Sequence, residues 1–295
     1  MRLLLPLLLL IGCAAPPADD DDATEAPREV VTWPQTLGID AGRYASIEGP
    51  EGWDQGEALP LVVLLHGYQA GMTGEIQELL FKYRAQIEDQ RFLYVLPTGS
   101  ENSDGDVYWN ATDRCCDFEQ EGVDDSGYLR GLVDEAIDRY AVDPDRVYFS
   151  GHSNGHFMSY RMACDHADVV AAVAGLAGGT WLDESRCGAS EPVSQLHIHG
   201  DADTVIPYEG EPNAPGALES ATRWADRAGC DQRDVDVGRL DLVNSAAGDE
   251  TRRDAWTGCD EGAVELWTLE GQGHIPLING TFGEEVIRWL LEQRR

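Results

Sequence analysis

The chain has 295 residues, of which 42% are hydrophobic, and it includes 32 glycines and 8 tryptophans. Such a chain can bury a large core, which excludes wholesale disorder, and one domain with short extensions is the economical organisation. Acidic residues outnumber basic ones by 54 to 21, for a formal charge of -33. That surface repels nucleic acid and anionic lipid headgroups, so neither is an expected partner.

The N-terminus has the pattern of an export signal. Arg2 is followed by an apolar run to Ile11, which is too short to cross a bilayer as a helix. The run ends in Leu10-Ile11-Gly12-Cys13, which resembles the lipobox of bacterial lipoproteins, where the cysteine is lipidated and becomes the first residue. We therefore predict a signal peptide at 1–12 and a lipid anchor at Cys13, with an ordinary cleaved signal as the alternative. The protein is expected to be exported, either anchored to a bacterial membrane or secreted.

A tether and one folded domain follow. Residues 13–38 are rich in Pro, Ala and Asp, which predicts a disordered acidic tether before a domain at 39–295. In that domain, the apolar run Leu61 to Leu65 is typical of a strand buried on both faces. The other expected elements are a strand near 42–48, a helix at 75–87, a strand at 92–96, a helix capped by Asp125, a strand at 146–149, a helix at 154–164, strands at 169–174 and 195–199, a helix at 218–228, a strand at 264–269 and a helix at 281–293. This alternation predicts an α/β fold with a mostly parallel twisted sheet and helices on both faces.

One motif in this domain points to nucleophilic chemistry. Gly151-His152-Ser153-Asn154-Gly155 matches G-x-S-x-G and lies between a predicted strand and a predicted helix. This is the nucleophile elbow of an α/β-hydrolase, in which the two glycines allow close approach of backbone and helix. The motif predicts that the Ser153 hydroxyl points outward at the carboxyl edge of the sheet.

A serine nucleophile needs a base and an orienting acid, and the chain order Ser, Asp, His tests for them. The strand 195–199 leads into a loop with Asp201 and Asp203, and the strand 264–269 leads into a glycine loop with His274. His274 is therefore the expected base, and position alone leaves both aspartates open. For the oxyanion hole, we expect the N–H groups of Asn154 and Tyr68, although Gly67 is also consistent with a plain turn residue.

These residues together resemble a known family of α/β-hydrolases, the polyhydroxybutyrate depolymerases and feruloyl esterases, including the LpqC-like lipoprotein esterases. The resemblance runs from about Gly42 to the C-terminus and rests on Leu65-His66-Gly67, Trp109-Asn110 with Cys115-Cys116, Val123-Asp124-Asp125, Val142 to Tyr148, Gly151 to Gly155, His199 to Asp203 with Val205 to Tyr208, and Gly273-His274. The family pattern G-x-x-D implies that the acid is Asp203. Two departures, His156 and Ile275-Pro276, are expected near the substrate cleft, where they bear on acyl preference.

Six cysteines remain after Cys13, an even number that suits three disulfides in an exported chain, and zinc-type C-x-x-C spacing is absent. The candidates are Cys115, Cys116, Cys164, Cys187, Cys230 and Cys259. We expect Cys230 to pair with Cys259, because they flank the segment from Val235 to Val243 and would close a loop of about 30 residues. The adjacent pair Cys115-Cys116 stays ambiguous.

Three other functions are compatible with parts of the sequence. His197-Ile198-His199-Gly200-Asp201 is similar to the H-x-H-x-D run of metallohydrolases, but Ala202 stands where that run usually continues with a histidine. A binding lipoprotein could keep the fold without catalysis, and a serine peptidase could share it. The complete set Ser153, Asp203 and His274 argues against the binding protein, and the lack of a gating domain argues against the peptidase.

The sequence therefore predicts an exported serine esterase that requires no metal or organic cofactor. Its expected substrates are small or oligomeric feruloyl, acetyl or short hydroxyacyl esters rather than solid polyester, since no separate surface-binding module is recognisable. Three tryptophans in predicted loops either form a stacking wall for a phenolic acid or sugar or pack in the interior. They are Trp109, Trp181 and Trp256.

Overall fold

The computed structural model describes residues 28–39 and 42–295. The predicted signal peptide, Cys13 and most of the predicted tether lie outside these residues. No helix in the described part of the chain is both long and apolar enough to cross a membrane.

Residues 28–39 and 42–295 form one large sheet and one small sheet, whose strands alternate with helices along the chain. The strands are β1 Gln35–Leu37, β2 Ala45–Glu48, β3 Leu59–Leu65, β4 Gln69–Ala70, β5 Leu93–Pro97, β6 Ser100–Glu101, β7 Asp106–Tyr108, β8 Val142–His152, β9 Val170–Leu176, β10 Ser194–Gly200, β11 Gln232–Leu240, β12 Thr251–Thr257 and β13 Val264–Leu269. The helices are α1 Gly74–Phe81, α2 Ile87–Gln90, α3 Asp125–Arg139, α4 Asn154–Asp165, α5 Ala217–Arg227 and α6 Gly280–Leu291.

The large sheet has the order β1-β2-β5-β3-β8-β9-β10-β13-β12-β11 among the described residues. The central strands from β5 to β13 are all parallel, and each flank adds two antiparallel strands. The parallel strands β3, β9 and β10 are buried along their whole length, as expected for strands covered on both faces. Their carboxyl ends form one edge, where an α/β sheet places its ligand.

Helices cover both faces of the sheet, which confirms the predicted fold class. On one face, Leu129 of α3, Phe157 of α4 and Trp224 of α5 belong to one buried apolar cluster. On the other face, Phe81 of α1 and Phe282 of α6 belong to a second cluster. The sheet therefore lies between two apolar layers, which hold its strand ends at fixed positions.

The folded part begins earlier than the sequence indicated. β1 lies within residues 13–38, which the sequence predicts to be a disordered tether, and Leu37 is fully buried. Trp33 stacks on Trp53 at a ring distance of 6.0 Å. These contacts are made with residues far along the chain, so the composition of the segment does not reveal them.

The helix predicted at 75–87 is broken. α1 ends at Phe81, and Lys82 has a left-handed backbone with a φ of 57°. The Glu78 carboxylate then accepts hydrogen bonds from the N–H groups of Tyr83, at 3.1 Å, and Arg84, at 2.9 Å. These bonds satisfy the first donors of the next turn, which is a 3₁₀ helix followed by α2.

The cap of α3 is Asp124 rather than Asp125. The Asp124 side chain accepts from the N–H of Gly127 at 2.9 Å. Asp125 is fully buried, where it pairs with Arg43 at 2.7 Å and accepts from the N–H of Asn110 at 2.7 Å. Its role is thus to join the loop after β7 to the start of the helix.

The six cysteines of the described domain form three disulfides, and the expected pair Cys230–Cys259 is one of them. The others join Cys164 to Cys187 and Cys115 to its neighbour Cys116. The Cys164–Cys187 bridge ties the end of α4 to the loop after β9.

Candidate active site

The predicted nucleophile lies in a sharp turn between β8 and α4. Ser153 has φ 53° and ψ -118°, a strained conformation for a residue with a side chain. Its N–H donates to the carbonyl of Leu176 at 2.8 Å, which holds the turn against β9. A Cβ at Gly155 would lie 2.2 Å from the carbonyl oxygen of Leu65, so this position requires glycine. Packing against the neighbouring strands therefore maintains the elbow.

Ser153, His274 and Asp203 form a continuous hydrogen-bonded line. His274 Nε2 lies 3.0 Å from Ser153 Oγ, and His274 Nδ1 lies 2.8 Å from Asp203 Oδ2. The side chain of His274 is 12% exposed, and that of Asp203 is fully buried. The three residues come from the ends of β8, β13 and β10, which are brought to the same sheet edge. This geometry allows the imidazole to accept a proton from the serine hydroxyl.

The structure places Asp203, and not Asp201, against His274. Asp203 Oδ1 accepts from the N–H groups of Val205, at 2.8 Å, and Ile206, at 3.0 Å. Burial alone would raise the pKa of Asp203, but hydrogen bonds from His199 and His274 hold that pKa well below its usual range. Asp201 is exposed and accepts from the N–H of Gly271 at 2.6 Å. Asp203 is therefore the ionised carboxylate beside the imidazole.

A buried chain of hydrogen-bonded side chains, Tyr160, His197 and His199, leads to Asp203 on the side away from His274. The Tyr160 hydroxyl lies 2.7 Å from His197 Nδ1, and His197 Nε2 lies 3.0 Å from His199 Nδ1. His199 Nε2 lies 2.9 Å from the carbonyl oxygen of Ile206 and 3.3 Å from Asp203 Oδ2. If Tyr160 donates to His197, His197 Nε2 donates to His199 Nδ1, and the proton on His199 Nε2 is shared between the carbonyl oxygen of Ile206 and the Asp203 carboxylate, which assigns the tautomers of both histidines. Burial lowers the pKa of His197 well below its usual value, which keeps that ring neutral.

The same contacts bear on the alternative metal site. His197 and His199 bind each other, and Asp201 binds the loop before His274. Within residues 28–39 and 42–295, there is no group of three or more His, Cys, Asp or Glu side chains that could hold a metal ion. The run His197 to Asp201 thus does not converge on one point.

Two further histidines hold the loops around Ser153, a role that the sequence analysis does not predict. His152 Nε2 lies 2.9 Å from the carbonyl oxygen of His274, and burial together with the charge of His274 lowers the pKa of His152 to about 4. His66 Nδ1 lies 2.8 Å from the carbonyl oxygen of Gly67, and His66 Nε2 accepts from the N–H of Gly99 at 2.9 Å. Burial also lowers the pKa of His66 to about 4. The sequence signal that could have indicated this role is their position, His66 next to Gly67 and His152 next to Ser153.

The two candidate oxyanion donors lie in the segments that border the elbow. A Cβ at Gly67 would be 3.6 Å from Ser153 Cβ, so the loop with Tyr68 runs directly beside the serine. Within the described chain, neither the N–H of Tyr68 nor that of Asn154 has an acceptor. The Asn154 side chain accepts from the N–H of Trp109 at 2.7 Å and donates to the carbonyl of Trp109 at 2.9 Å. This pair of bonds clamps the loop after β7 to the start of α4.

A cavity of about 230 Å³ opens beside Ser153 and His274. Its apolar wall consists of Met72, Ile76, Leu80 and Ile275. Ile275, one of the two departures from the family pattern, does line this cavity. The other departure, His156, does not: its ring is fully buried and stacks on Tyr160 at 4.8 Å, so the expectation that it borders the cleft is wrong.

None of the three tryptophans predicted to lie in loops lines this cavity, and Trp256 lies on β12 rather than in a loop. Their exposed fractions are 0% for Trp109, 4% for Trp181 and 9% for Trp256, and none of them lines the wall around Ser153. Of the two roles considered, the structure favours packing over a stacking wall for substrate.

The fold and this edge of the sheet define an α/β-hydrolase. Residues 53–228 match the model of a family described as phospholipase/carboxylesterase, and the chain belongs to that family. It is a carboxylic ester hydrolase, which confirms the predicted enzyme class.

The chain is similar to several named esterases. A putative esterase, NocK, from Nocardia uniformis subsp. tsuyamanensis is 29% identical over 267 residues, which cover 86% of this chain and 74% of that protein. A probable feruloyl esterase C from Aspergillus terreus is 27% identical over 223 residues, covering 74% of this chain and 72% of that protein. The solved acetyl xylan esterase from Aspergillus awamori has the same fold, with a TM-score of 0.61 at 16% identity, over 88% of this chain and 99% of that one.

Proposed function

We propose that the protein is an exported serine esterase in which Ser153 is the nucleophile, His274 the general base and Asp203 the orienting acid. The observation that carries this proposal is the line of two hydrogen bonds, 3.0 Å from Ser153 to His274 and 2.8 Å from His274 to Asp203. A serine hydroxyl is a poor nucleophile near neutral pH until a neighbouring imidazole takes its proton.

In the first half-reaction, Ser153 Oγ attacks the ester carbonyl as its proton passes to His274 Nε2. The N–H groups of Tyr68 and Asn154 would then stabilise the negative oxygen of the tetrahedral intermediate, a contribution of about 3 kcal/mol for one such donor in other enzymes. His274 returns the proton to the leaving alcohol, and the acyl group remains on Ser153. The ionised Asp203 stabilises the imidazolium that forms in between.

In the second half-reaction, water attacks the acyl-enzyme. His274 takes a proton from the water, the oxygen adds to the acyl carbon, and the bond to Ser153 Oγ breaks. His274 then returns the proton to the serine, and the carboxylic acid leaves. Every proton in this cycle is carried by a group at the sheet edge.

For the substrate, we propose feruloyl, acetyl or short hydroxyacyl esters in soluble or oligomeric form. The name of the Aspergillus terreus relative supports the feruloyl choice, and that of the Aspergillus awamori structure supports acetyl. The short hydroxyacyl choice rests on the sequence resemblance to polyhydroxybutyrate depolymerases. A panel of feruloyl, acetyl, 3-hydroxybutyrate-oligomer and p-nitrophenyl esters separates these choices. Clearing of crystalline polyhydroxybutyrate at a rate comparable with soluble esters would contradict the preference for soluble substrates.

The catalytic assignment is tested with Ser153→Ala. We expect the variant to fold and to lose roughly 10⁴ to 10⁶-fold in turnover of a p-nitrophenyl ester, the scale seen when a triad member is removed. Circular dichroism and thermal unfolding serve as the controls for folding. Hydrolysis by the variant at the wild-type rate, or loss of wild-type activity on adding a chelator, would overturn the assignment.

We also propose that the protein is exported and carries a lipid on Cys13. The three disulfides support export, since such bonds persist in oxidising compartments. In a host that processes lipoproteins, Cys13→Ser should release or misprocess the protein. Mass spectrometry of the mature N-terminus measures this directly, and a mature chain without acyl modification would reject the anchor.

A further inference from the structure

A second cavity, of about 440 Å³, is lined by three arginines. Arg114 lies in the loop after β7, Arg161 lies on α4, and Arg186 ends a short 3₁₀ helix in the loop after β9. The sequence has only 21 basic residues against 54 acidic ones, so a group of three arginines around one opening is unusual for this surface. We call this opening the arginine cavity.

Two of these arginines use only part of their guanidinium group within the protein. Arg114 Nε pairs with Glu211 at 2.6 Å, and its two Nη groups have no partner among the described residues. Arg161 Nε pairs with Asp165 at 3.1 Å, and its Nη1 donates to the carbonyl of Asn110 at 2.5 Å. Each guanidinium is therefore held in place by the chain and keeps at least one Nη group for a ligand.

The third arginine is free of ion pairs. Arg186 makes neither an ion pair nor a hydrogen bond within residues 28–39 and 42–295, and its guanidinium lies over the ring of Trp181 at 4.1 Å. Its side chain is exposed, and those of Arg114 and Arg161 are 21% and 20% exposed. A ligand that enters from solvent can thus reach all three side chains.

Covalent and polar links fix the walls of the arginine cavity relative to one another. The disulfide from Cys164 to Cys187 joins the turn of α4 that follows Arg161 to the residue that follows Arg186. The Asp113 carboxylate accepts hydrogen bonds from two N–H groups of the loop after β9, at 3.0 and 3.2 Å. The cations are therefore arranged before a ligand binds, which lowers the entropic cost of binding.

The remaining lining residues indicate which anion suits this cavity. Asp113 and Asp117 also line it, and both oxygens of each carboxylate accept backbone N–H groups. Their negative charge disfavours a dianion such as phosphate more than a singly charged carboxylate. Phe118, which is 59% exposed, offers an apolar surface for the organic part of a ligand. A guanidinium and a carboxylate have matching planar geometry, which favours a pair of parallel hydrogen bonds.

We propose that the arginine cavity is a second ligand site, which binds a small organic carboxylate. The carboxylate accepts from Arg186 and from the free Nη groups, and the apolar body lies against Phe118. The Phe118 ring contacts the ring of Tyr68 at 5.5 Å, and Tyr68 lines the cavity beside Ser153, so the two sites are neighbours. The acid released by ester hydrolysis belongs to this ligand class, whereas the uncharged ester does not. The site therefore distinguishes product from substrate, a consequence that rests on the proposed function.

Isothermal titration calorimetry with the wild type tests the ligand class. Benzoate and benzamide are the matched probes, because they share size and shape and differ in charge. We expect benzoate to bind about tenfold or more tightly than benzamide, the scale of hydrogen bonds to a charged group. Inorganic phosphate should bind more weakly than benzoate. Equal affinities for benzoate and benzamide, or phosphate binding as tight as that of benzoate, would overturn the proposal.

Arginine variants test the place of binding. Arg186→Gln and Arg114→Gln should each weaken benzoate binding about tenfold, and Arg186→Lys should recover part of the loss because it restores the charge without the planar fork. Lys82→Asn is the matched control, since it removes one exposed positive charge outside this cavity and asparagine tolerates the left-handed backbone there. Unchanged affinity in both glutamine variants, or an equal loss in the control, would contradict the proposal.

Two further variants separate this site from the catalytic one. Ser153→Ala should bind benzoate as the wild type does. Ile76→Ala alters the cavity beside Ser153, and a loss of benzoate binding there, with none in the arginine variants, would place benzoate in that cavity and overturn the proposal. If Ser153→Ala keeps its esterase activity while the arginine variants lose benzoate, the proposed function fails and the arginine cavity stands. If Ser153→Ala is inactive and the arginine variants bind normally, only the arginine cavity fails.

Discussion

The two sides of the Asp203 carboxylate carry the same residue type in different surroundings. On one side, His274 is partly exposed and lies within 3.0 Å of Ser153 at the cavity. On the other side, His199 and His197 are buried with Tyr160, and none of the three borders the cavity. A histidine that reaches the reacting atoms can exchange protons with substrate, whereas a histidine sealed in the core can only orient its neighbour. Access, rather than residue type, distinguishes the two roles.

The largest expected effect comes from replacing the Asp203 carboxylate, which lies between His274 and His199. Asp203→Asn should lower kcat for a p-nitrophenyl ester by about 10⁴-fold, as the equivalent change does in another triad enzyme, because an amide cannot hold the imidazole in its working tautomer. Asp201→Asn is the matched control, since Asp201 contacts only the N–H of Gly271 in this loop. Equal losses in the two variants would undo the assignment of Asp203.

The residues on the His274 side of Asp203 could be predicted from the sequence. Ser153 follows from a local motif between a strand and a helix, and His274 follows from chain order along the sheet edge. Choosing Asp203 over Asp201 needed the family resemblance. The surroundings of the Gln77 amide could not be predicted from the sequence. Only the packed loops show that Gln77 Oε1 accepts from the N–H of Gly67 and that Gln77 Nε2 has no partner among the described residues.

The fold shows the same division between local and distant causes. The parallel strands were predicted because burial on both faces requires a continuous apolar run, as in β3. β11 and β12 were missed because their residues are largely polar or exposed, and pairing at the sheet edge, rather than burial, defines them. The break at Lys82 was missed for a related reason, since Glu78 caps the following turn through its side chain.

A smaller effect should follow from removing the buried donor behind Asp203. His199→Phe keeps a ring but no N–H, and we expect kcat to fall about 10 to 100-fold with little change in KM, the size of one hydrogen bond to a charged group. The acid limb of the pH–rate profile should also move to higher pH. With one donor fewer, the carboxylate acts more strongly on His274 and stabilises its protonated form.

The pH profile separates positioning from a general loss of packing. His199→Gln, which retains an N–H donor, should restore part of kcat and move the acid limb back. The other groups that face His199 are His197, Tyr208 and Asp203, and all remain in both variants. An acid limb that is unchanged in His199→Phe would show that His199 has no influence on the protonation of His274 through Asp203.

The smallest expected effect is on the pH dependence of the free energy of unfolding. Each histidine that burial keeps neutral should contribute about 1 kcal/mol to it. Burial lowers the pKa of His66 and His152 to about 4, and lowers the pKa of His156 and His197 well below its usual value. Unfolding exposes these rings to water, where the pKa is about 6.5, so the unfolded chain binds more protons below that pH. Their contribution to stability is therefore complete above pH 6.5 and is lost as the pH falls from 6.5 toward 4.

Urea unfolding at pH 7 and pH 5.5 measures this loss, which we expect to reach about 1 kcal/mol for each buried histidine. Burial raises the pKa of Glu78 and Asp125, which opposes the trend because the folded chain then holds protons on these carboxyls. His156→Gln isolates one histidine: its amide can still accept from the N–H of Gly178, the partner of His156 Nδ1 at 3.1 Å, but it does not titrate. The difference in unfolding free energy between the two pH values should shrink by about 1 kcal/mol in this variant. An equal difference in wild type and variant would mean that His156 is as readily protonated in the folded core as in the unfolded chain.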